Sequence, residues 1–338
     1  PYLQGEKAND NSDDLTDVMT VALHPSNKKV YIGSFYEGLV EIDGEKFQLF
    51  NEKNSTLNNA IGDIARTRIS GLAFDEEENL WVANHLAANP ISVLTKAGEW
   101  KSFKPSCGVT SLHQLTIDQN GYKWFCSSSN SAGLIVFDSG KLDDNTDDKC
   151  RVFTTANSEL QTNQVNCVTA DLDGDVWVGT GEGVVIFECG SNAFDENCRG
   201  TRRVVEIING LGAYLLETEF ITTIAVDGAN RKWVGTKNGV FVLSPSGRDQ
   251  LAHFTTRNSP LLNNAILDIV INPKTGEAYI GTESGIIVLQ SDAIEGGRVH
   301  NADIKVYPNP VRPDYDGPIA IRGLARDAAV KITDVAGN

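Results

Sequence analysis

Val165-Asn-Cys-Val-Thr-Ala-Asp171-Leu-Asp-Gly174-Asp-Val-Trp177-Val-Gly179-Thr180-Gly-Glu-Gly183-Val-Val-Ile-Phe187 reads as three short strands joined by two tight turns. The run before Asp171 is rich in β-branched residues, and Asp-Gly supplies the positive backbone angles that a hairpin turn requires. The second strand carries a tryptophan and closes on Gly-Thr, and Gly183 starts the third. The phrase returns as Val18 to Leu23 with Val30-Tyr-Ile-Gly33, and as Gly71-Leu-Ala-Phe-Asp75 with Leu80-Trp-Val-Ala83. Further copies are Leu112 to Asp118 with Lys123-Trp-Phe-Cys126, Phe220 to Asp227 with Lys232-Trp-Val-Gly235, and Ile266 to Ile271 with Ala278-Tyr-Ile-Gly281. The anchors Tyr31, Trp81, Trp124, Trp177, Trp233 and Tyr279 stand 43 to 56 residues apart, the length of a four-stranded propeller blade. The chain therefore reads as all-β, with six blades visible and a seventh expected in the intact protein.

The step between blades also repeats. Phe50-Asn-Glu-Lys-Asn-Ser-Thr-Leu57, Phe153-Thr-Thr-Ala-Asn-Ser-Glu-Leu160 and Phe254-Thr-Thr-Arg-Asn-Ser-Pro-Leu261 share Phe-x-x-x-Asn-Ser-x-Leu. An Asn or Ser side chain bonding to backbone two residues ahead closes such a connection as a turn. Glycine opens the third strand at Gly38, Gly133, Gly183, Gly239 and Gly285, whereas the second blade has His85-Leu-Ala-Ala-Asn-Pro90 there.

With 338 residues, 41 % apolar and 22 % charged, the chain can build a large core. A net charge of −16 repels nucleic acid and anionic surfaces at long range, so an anionic ligand needs a local basic patch. No run reaches the roughly 18 apolar residues of a membrane-spanning helix. A start at Pro1 and a single Met suggest a trimmed product. Among six cysteines, Cys126 and Cys167 fall in strands as small core residues. Cys189 and Cys198 bracket a polar insertion as a disulfide would, which implies an oxidising, extracytoplasmic compartment.

Connections between blades and between second and third strands emerge on one face around the channel, where binding on a rigid scaffold usually resides. The candidate ligand residues there are Tyr36, His85, Asn130, Lys237 and Asn238, although exposed turns also vary freely. Arg199, Arg202 and Arg203 form the densest basic cluster, suited to phosphate or carboxylate or else balancing Asp195 and Glu196.

Phe-x-x-x-Asn-Ser-x-Leu followed by Asp-x-x-Gly-x-x-Trp-x-Gly-Thr-x-x-Gly resembles the two-component regulator propeller repeats common in Bacteroidetes, over roughly residues 18 to 290. Such propellers serve as periplasmic sensor halves of hybrid kinases or as parts of secreted proteins. After them, Lys305-Val-Tyr-Pro-Asn-Pro-Val311, Ile319-Ala-Ile-Arg-Gly323 and Val330-Lys-Ile-Thr-Asp-Val-Ala-Gly-Asn338 look like the start of a type IX secretion C-terminal β-sandwich. The resemblance divides the chain into a propeller, 1–297, and a truncated sandwich, 298–338. Together they resemble the surface propeller family of the type IX secretion attachment complex. That family acts with a sortase and a shuttle protein and hands anionic lipopolysaccharide to the sortase. Its members carry two propellers, so this chain reads as a fragment of one. Two rival readings are an oligosaccharide-sensing propeller of a hybrid two-component system and an exported propeller hydrolase.

Enzyme signatures are not found. His24, His85, His113, His253 and His300 share no motif, and there is no G-x-S-x-G, H-E-x-x-H or phosphate loop. Asp171-Leu-Asp-Gly-Asp175 lacks the downstream Glu of a calcium loop, and Asp143-Asp-Asn-Thr-Asp-Asp148 reads as a solvated insertion. The expectation is a non-enzymatic protein without cofactor or metal, binding neither nucleic acid nor membrane lipid through a spanning segment.

Overall fold

The computed structural model describes residues 15–127, 132–207, 211–296, 304–307, 310, 312, 319–325, 328 and 330–331. Six antiparallel sheets follow one another along the chain. Blade one holds β1 (Val18–Leu23), β2 (Val30–Ser34), β3 (Leu39–Asp43) and β4 (Lys46–Phe50). Blade two holds β5 (Ile69–Phe74), β6 (Leu80–Asn84), β7 (Ile91–Leu94) and β8 (Trp100–Phe103). Blade three holds β9 (Leu112–Ile117), β10 (Lys123–Ser127), β11 (Leu134–Asp138) and β12 (Lys149–Phe153). Blade four has β13 (Val165–Ala170), β14 (Val176–Thr180) and β15 (Gly183–Phe187), with a hairpin β16 (Val204–Ile207) and β17 (Leu211–Tyr214) after it. Blade five holds β18 (Ile221–Val226), β19 (Lys232–Thr236), β20 (Gly239–Leu243) and β21 (Gln250–Phe254), and blade six β22 (Ile266–Ile271), β23 (Glu277–Thr282) and β24 (Gly285–Gln290). In the tail, β25 (Lys305–Tyr307) pairs antiparallel with β26 (Ala320–Arg322).

One side-chain interaction writes each blade. Asp118 Oδ1 accepts the amides of Asn120 at 2.8 Å and Tyr122 at 3.1 Å, which fixes the β9–β10 turn. Its other oxygen accepts the indole N–H of Trp124 at 2.8 Å. Asp75 and Trp81, Asp171 and Trp177, and Asp227 and Trp233 repeat the bond at 2.8, 3.0 and 3.0 Å. Asp171 is therefore occupied by its own turn and indole, in keeping with the hairpin reading of that segment. Blades one and six replace the pair: His24 and Asn272 take the turn amides, and Tyr31 and Tyr279 bond to Glu41 and Glu277.

The Phe-x-x-x-Asn-Ser-x-Leu step closes with the expected forward bond, Ser55, Ser158 and Ser259 accepting the amides of Leu57, Leu160 and Leu261 at 3.2, 3.3 and 3.4 Å, and with a second set that runs backwards. Asn157 reaches back, accepting from Thr154 N at 2.8 Å and donating to Val152 O at 2.9 Å, while Ser158 donates to Thr154 O. Asn54 and Asn258 do the same, and Leu57, Leu160 and Leu261 are buried. Where third strands begin, Gly239 takes φ +119°, a region that a Cβ penalises. Nearby, a methyl on Gly235 would stand 2.7 Å from Ile266 Cγ2 of the next blade.

The core lies between blades rather than within them. Five apolar layers fill the spaces from blades one and two to blades five and six, and the anchors of blades one to five each face the blade that follows. Trp81, Trp124 and Trp177 are 1 % exposed, Trp233 4 % and Tyr31 5 %, but Tyr279 is 42 % exposed. The difference is position, because inner strands pack in succession from β1 to β22 and β22 does not pack closely back on β1. On blade one, Val21, Ile32, Val40 and Leu49 form one open row across the sheet, with Leu23, Val30, Ile42 and Phe47 the next. Blade two presents the matching rows to blade one, where Leu72, Leu80, Val82 and Leu94 are buried.

Lysines preceding two anchors tie neighbouring blades. Lys232 is fully buried, its Nζ 2.7 Å from Asp171 Oδ2 of the previous blade and 4.6 Å from the Trp177 ring centre. Lys123 stands in the corresponding place, 3.8 Å over Trp81, yet donates only to Ser139 Oγ at 3.1 Å. Burial pushes the Lys123 ammonium down to about 8.

Cys189 and Cys198 are bonded, as the insertion between them suggested, and Cys126 and Cys167 are free and buried. A second disulfide, Cys107–Cys150, joins the β8–β9 connection to β12 and had no sequence signal.

Three outcomes follow from these contacts. Lys232→Met strands the buried Asp171 carboxylate, and urea denaturation should show roughly 3–5 kcal/mol lost. Lys123→Met removes a buried cation that touches no carboxylate. The unfolded chain keeps that lysine near 10.5 while the folded chain holds it near 8, so the charged form costs stability below pH 8 and the cost fades as pH rises towards 10.5. Lys123→Met is therefore expected to be more stable than the parent at pH 7 by up to about 3 kcal/mol, with the gap closing by about pH 10; a loss at pH 7 would contradict this. Thiol titration should find none reactive in the folded protein, two in denaturant from Cys126 and Cys167, and six after reduction.

Candidate functional site

The inner strands β1, β5, β9, β13, β18 and β22 line a central cavity of about 660 Å³. Each carries a β-bulge, an extra residue that bends the strand and re-aims a side chain. The skipped residues are Met19, Ser70, Asn166, Thr222 and Leu267, and in β9 the bulge lies deeper, at Gln114 with φ +50°. Deeper in the channel, Thr223 donates to Asp268 at 2.8 Å across two blades.

The loop residues singled out in the sequence take distinct positions on the channel's mouth. Tyr36 is exposed, with the Arg66 guanidinium 4.4 Å over its ring. Arg68 lies 5.2 Å over Phe35 and pairs with Asp63 at 3.0 Å. His85, by contrast, is buried: its Nδ1 donates to Leu112 O at 2.9 Å and its ring packs 5.0 Å from Phe35. Burial lowers its pKa, so it is neutral at pH 7 and holds blade two to blade three. Lys237 lies 4.0 Å over Phe220, and Asn238 donates to Glu219 at 2.9 Å. Asn130 lies outside the described residues.

The three arginines do not join this mouth. Arg203 forms a paired contact with Glu188 at 2.6 and 3.0 Å and donates to Ser246 O in the β20–β21 turn. That turn is at the end of β20 opposite the β19–β20 turn that carries Lys237. Arg202 lies 3.8 Å over Tyr214 and 3.8 Å from Glu217. Their balancing carboxylates are therefore Glu188 and Glu217 rather than Asp195 and Glu196. Arg199 is exposed, and Arg202, Arg203 and Arg248 line a separate groove with Asp249.

A second pocket, of about 310 Å³, opens at the mouth between blades three, four and five. His113, Gln164, Asn166, Phe220 and Thr222 line it, with Ser127 beside them. Burial lowers the His113 pKa, and its ring makes no hydrogen bond among the described residues. Asn166 donates to Ile221 O at 2.8 Å, and the buried Thr222 hydroxyl has no partner. Sequence reading passed over these residues because their meeting depends on bulge register, which spacing does not reveal.

Repeated Asp-to-indole blades around a loop-ringed channel define six blades of a β-propeller. No family model and no curated protein matches the chain. Among solved structures it is similar to PorZ of Porphyromonas gingivalis, an essential surface component of the type IX secretion system, at 26 % identity and a TM-score of 0.74 over 95 % of this chain. The chain is PorZ-like, and it spans 45 % of the length of that PorZ structure. Virginiamycin B lyase from Staphylococcus aureus shares the fold at 16 % identity and a TM-score of 0.57, covering 83 % of this chain and 84 % of the lyase. The extracellular domain of a hybrid two-component system from B. thetaiotaomicron aligns at 18 % identity and a TM-score of 0.45, over 86 % of this chain and 39 % of that one. No helix among the described residues is long and apolar enough to cross a membrane.

Proposed function

We propose that the chain is the propeller of a non-enzymatic, extracytoplasmic protein of the type IX secretion attachment complex. It binds partner proteins, and anionic lipopolysaccharide for delivery to the sortase. The observation that carries this reading is the likeness to PorZ along nearly the whole chain. The disulfides Cys107–Cys150 and Cys189–Cys198 support an oxidising compartment, and the Tyr-Pro-Asn-Pro tail supports a sorting sandwich over 298–338. The open faces of blades one and six take a seventh blade in the whole protein, which covers Tyr279 as the other anchors are covered. A hydrolase or lyase reading lacks a constellation to stand on: at the described mouth neither His85 nor His113 contacts a carboxylate or a nucleophile.

The anionic ligand acts at the groove of Arg202, Arg203 and Arg248 or at the Arg66 and Arg68 rim, where cations gather on an acidic chain. Purified protein is expected to bind anionic lipopolysaccharide with affinity that falls as salt rises, and to co-purify with the sortase. Absence of affinity for both, across salt concentrations, would overturn the reading.

A further inference from the structure

We propose that the pocket between blades three, four and five is a subsite for one neutral sugar ring of a glycan. Its lining carries no charged side chain, although the chain is strongly acidic. The groups that do line it are those that serve both as donor and acceptor: the amides of Gln164 and Asn166, the Thr222 hydroxyl, and the imidazole of His113. Because burial keeps His113 uncharged at neutral pH, one ring nitrogen donates and the other accepts. Such an alternating set fits neighbouring hydroxyls, each itself a donor and an acceptor. The lining itself gives an anion no cation to meet, the Lys237 ammonium being held over the Phe220 ring, and a buried phosphate or carboxylate without one is heavily penalised.

Apolar complementarity comes from Phe220. Lys237 covers that ring at 4.0 Å, which fixes the orientation of the aromatic face, and Asn238 is tied to Glu219 beside it. A pyranose presents a flat face of C–H groups to such a ring. At about 310 Å³ the pocket is at the small end of ligand sites, in the range of a single ring rather than an extended chain. It opens at the channel's mouth, so a longer glycan can leave it along the loops.

Asn166 and Thr222 stand at the skipped position of their strands, outside the ladder; Asn166 gives its amide N–H to Ile221 O, which orients the group and leaves its Oδ1 to accept from a ligand. The unpartnered Thr222 hydroxyl and the unbonded His113 ring are polar groups for which the folded chain supplies nothing. Polar groups left this way in a rigid scaffold mark a place completed from outside. The inference stands on the pocket alone and does not depend on the secretion reading.

Saturation-transfer NMR and calorimetry with methyl glycosides of glucose, galactose, mannose and N-acetylglucosamine test it, with glucuronic acid and glucose 6-phosphate as charged comparators. At least one neutral glycoside is expected to bind in the millimolar range. Asn166→Ala and Phe220→Ala should each weaken it about tenfold. Gln164 is exposed, so Gln164→Ala gives a variant whose folding is not at stake, and it should also lose affinity. No binding of any neutral glycoside at concentrations on the order of 50 mM, preference for the charged sugars, or undiminished affinity in both Gln164→Ala and Asn166→Ala would overturn the proposal. Binding of anionic lipopolysaccharide that survives Asn166→Ala would leave the secretion reading standing whichever way the glycoside result falls.

Discussion

A hydrogen bond from a tryptophan indole to an aspartate six residues earlier organises everything else in this chain. Because Asp118, Asp171 and Asp227 each spend one oxygen on turn amides and the other on Trp124, Trp177 and Trp233, the turn and the anchor are fixed together. The indole then has one open direction, towards the following blade. Blades therefore cannot bury their own largest side chains, and stability is shared between neighbours as in other repeat architectures. Tyr279 shows the rule by its exception, since the only anchor without a following blade is the exposed one.

Much of this was legible in the sequence because it depends on local chemistry. Asp-x-x-Gly-x-x-Trp states the turn, the anchor and their distance at once, and strands β13, β14 and β15 fall where the phrase placed them. The Cys189–Cys198 bond was legible for the same reason, being nine residues long. What escaped depends on distant partners. Cys107 and Cys150 are 43 residues apart and meet only because β12 is the outer strand of the blade that Cys107 precedes. His85 looked like an exposed loop tip, yet the backbone of β9 supplies an acceptor for its ring and Phe35 covers it. Blade four was expected to have four strands, but its sheet has three, with the single bridge between Ile186 and Thr201 in the outer place. The disulfide-closed insertion occupies the chain that would have formed the rest.

The two buried lysines show how a shared position can acquire opposite energetics. Lys232 and Lys123 both precede an anchor and both lie over the previous blade's tryptophan. Only Lys232 meets the aspartate of that blade; Lys123 turns to a serine. The first is a buried pair whose partner needs it, and the second a desolvated cation held by a ring face and one hydroxyl. Repetition of sequence thus conserves place more faithfully than it conserves charge balance.

The same distinction separates two kinds of site on this propeller. Repeated positions are committed to packing, so the tryptophans are unavailable as a stacking platform for ligands. Positions that the bulges remove from the ladder are not repeated and differ from blade to blade, Met19, Ser70, Asn166, Thr222 and Leu267, although Ser70 and Asn166 each bond to the backbone of the following blade. Apolar members of this ring flank the opening between blades six and one, whereas Asn166 and Thr222 stand on the far side, beside His113 and Phe220. Cations, meanwhile, are placed outside the channel and mostly paired, as Arg203 is with Glu188. Charge at the mouth is likewise tied down, Arg66 and Arg68 over aromatic rings beside Asp63 and Lys237 over Phe220, so the pocket between blades three, four and five is lined by uncharged polar groups although charged ones stand around it.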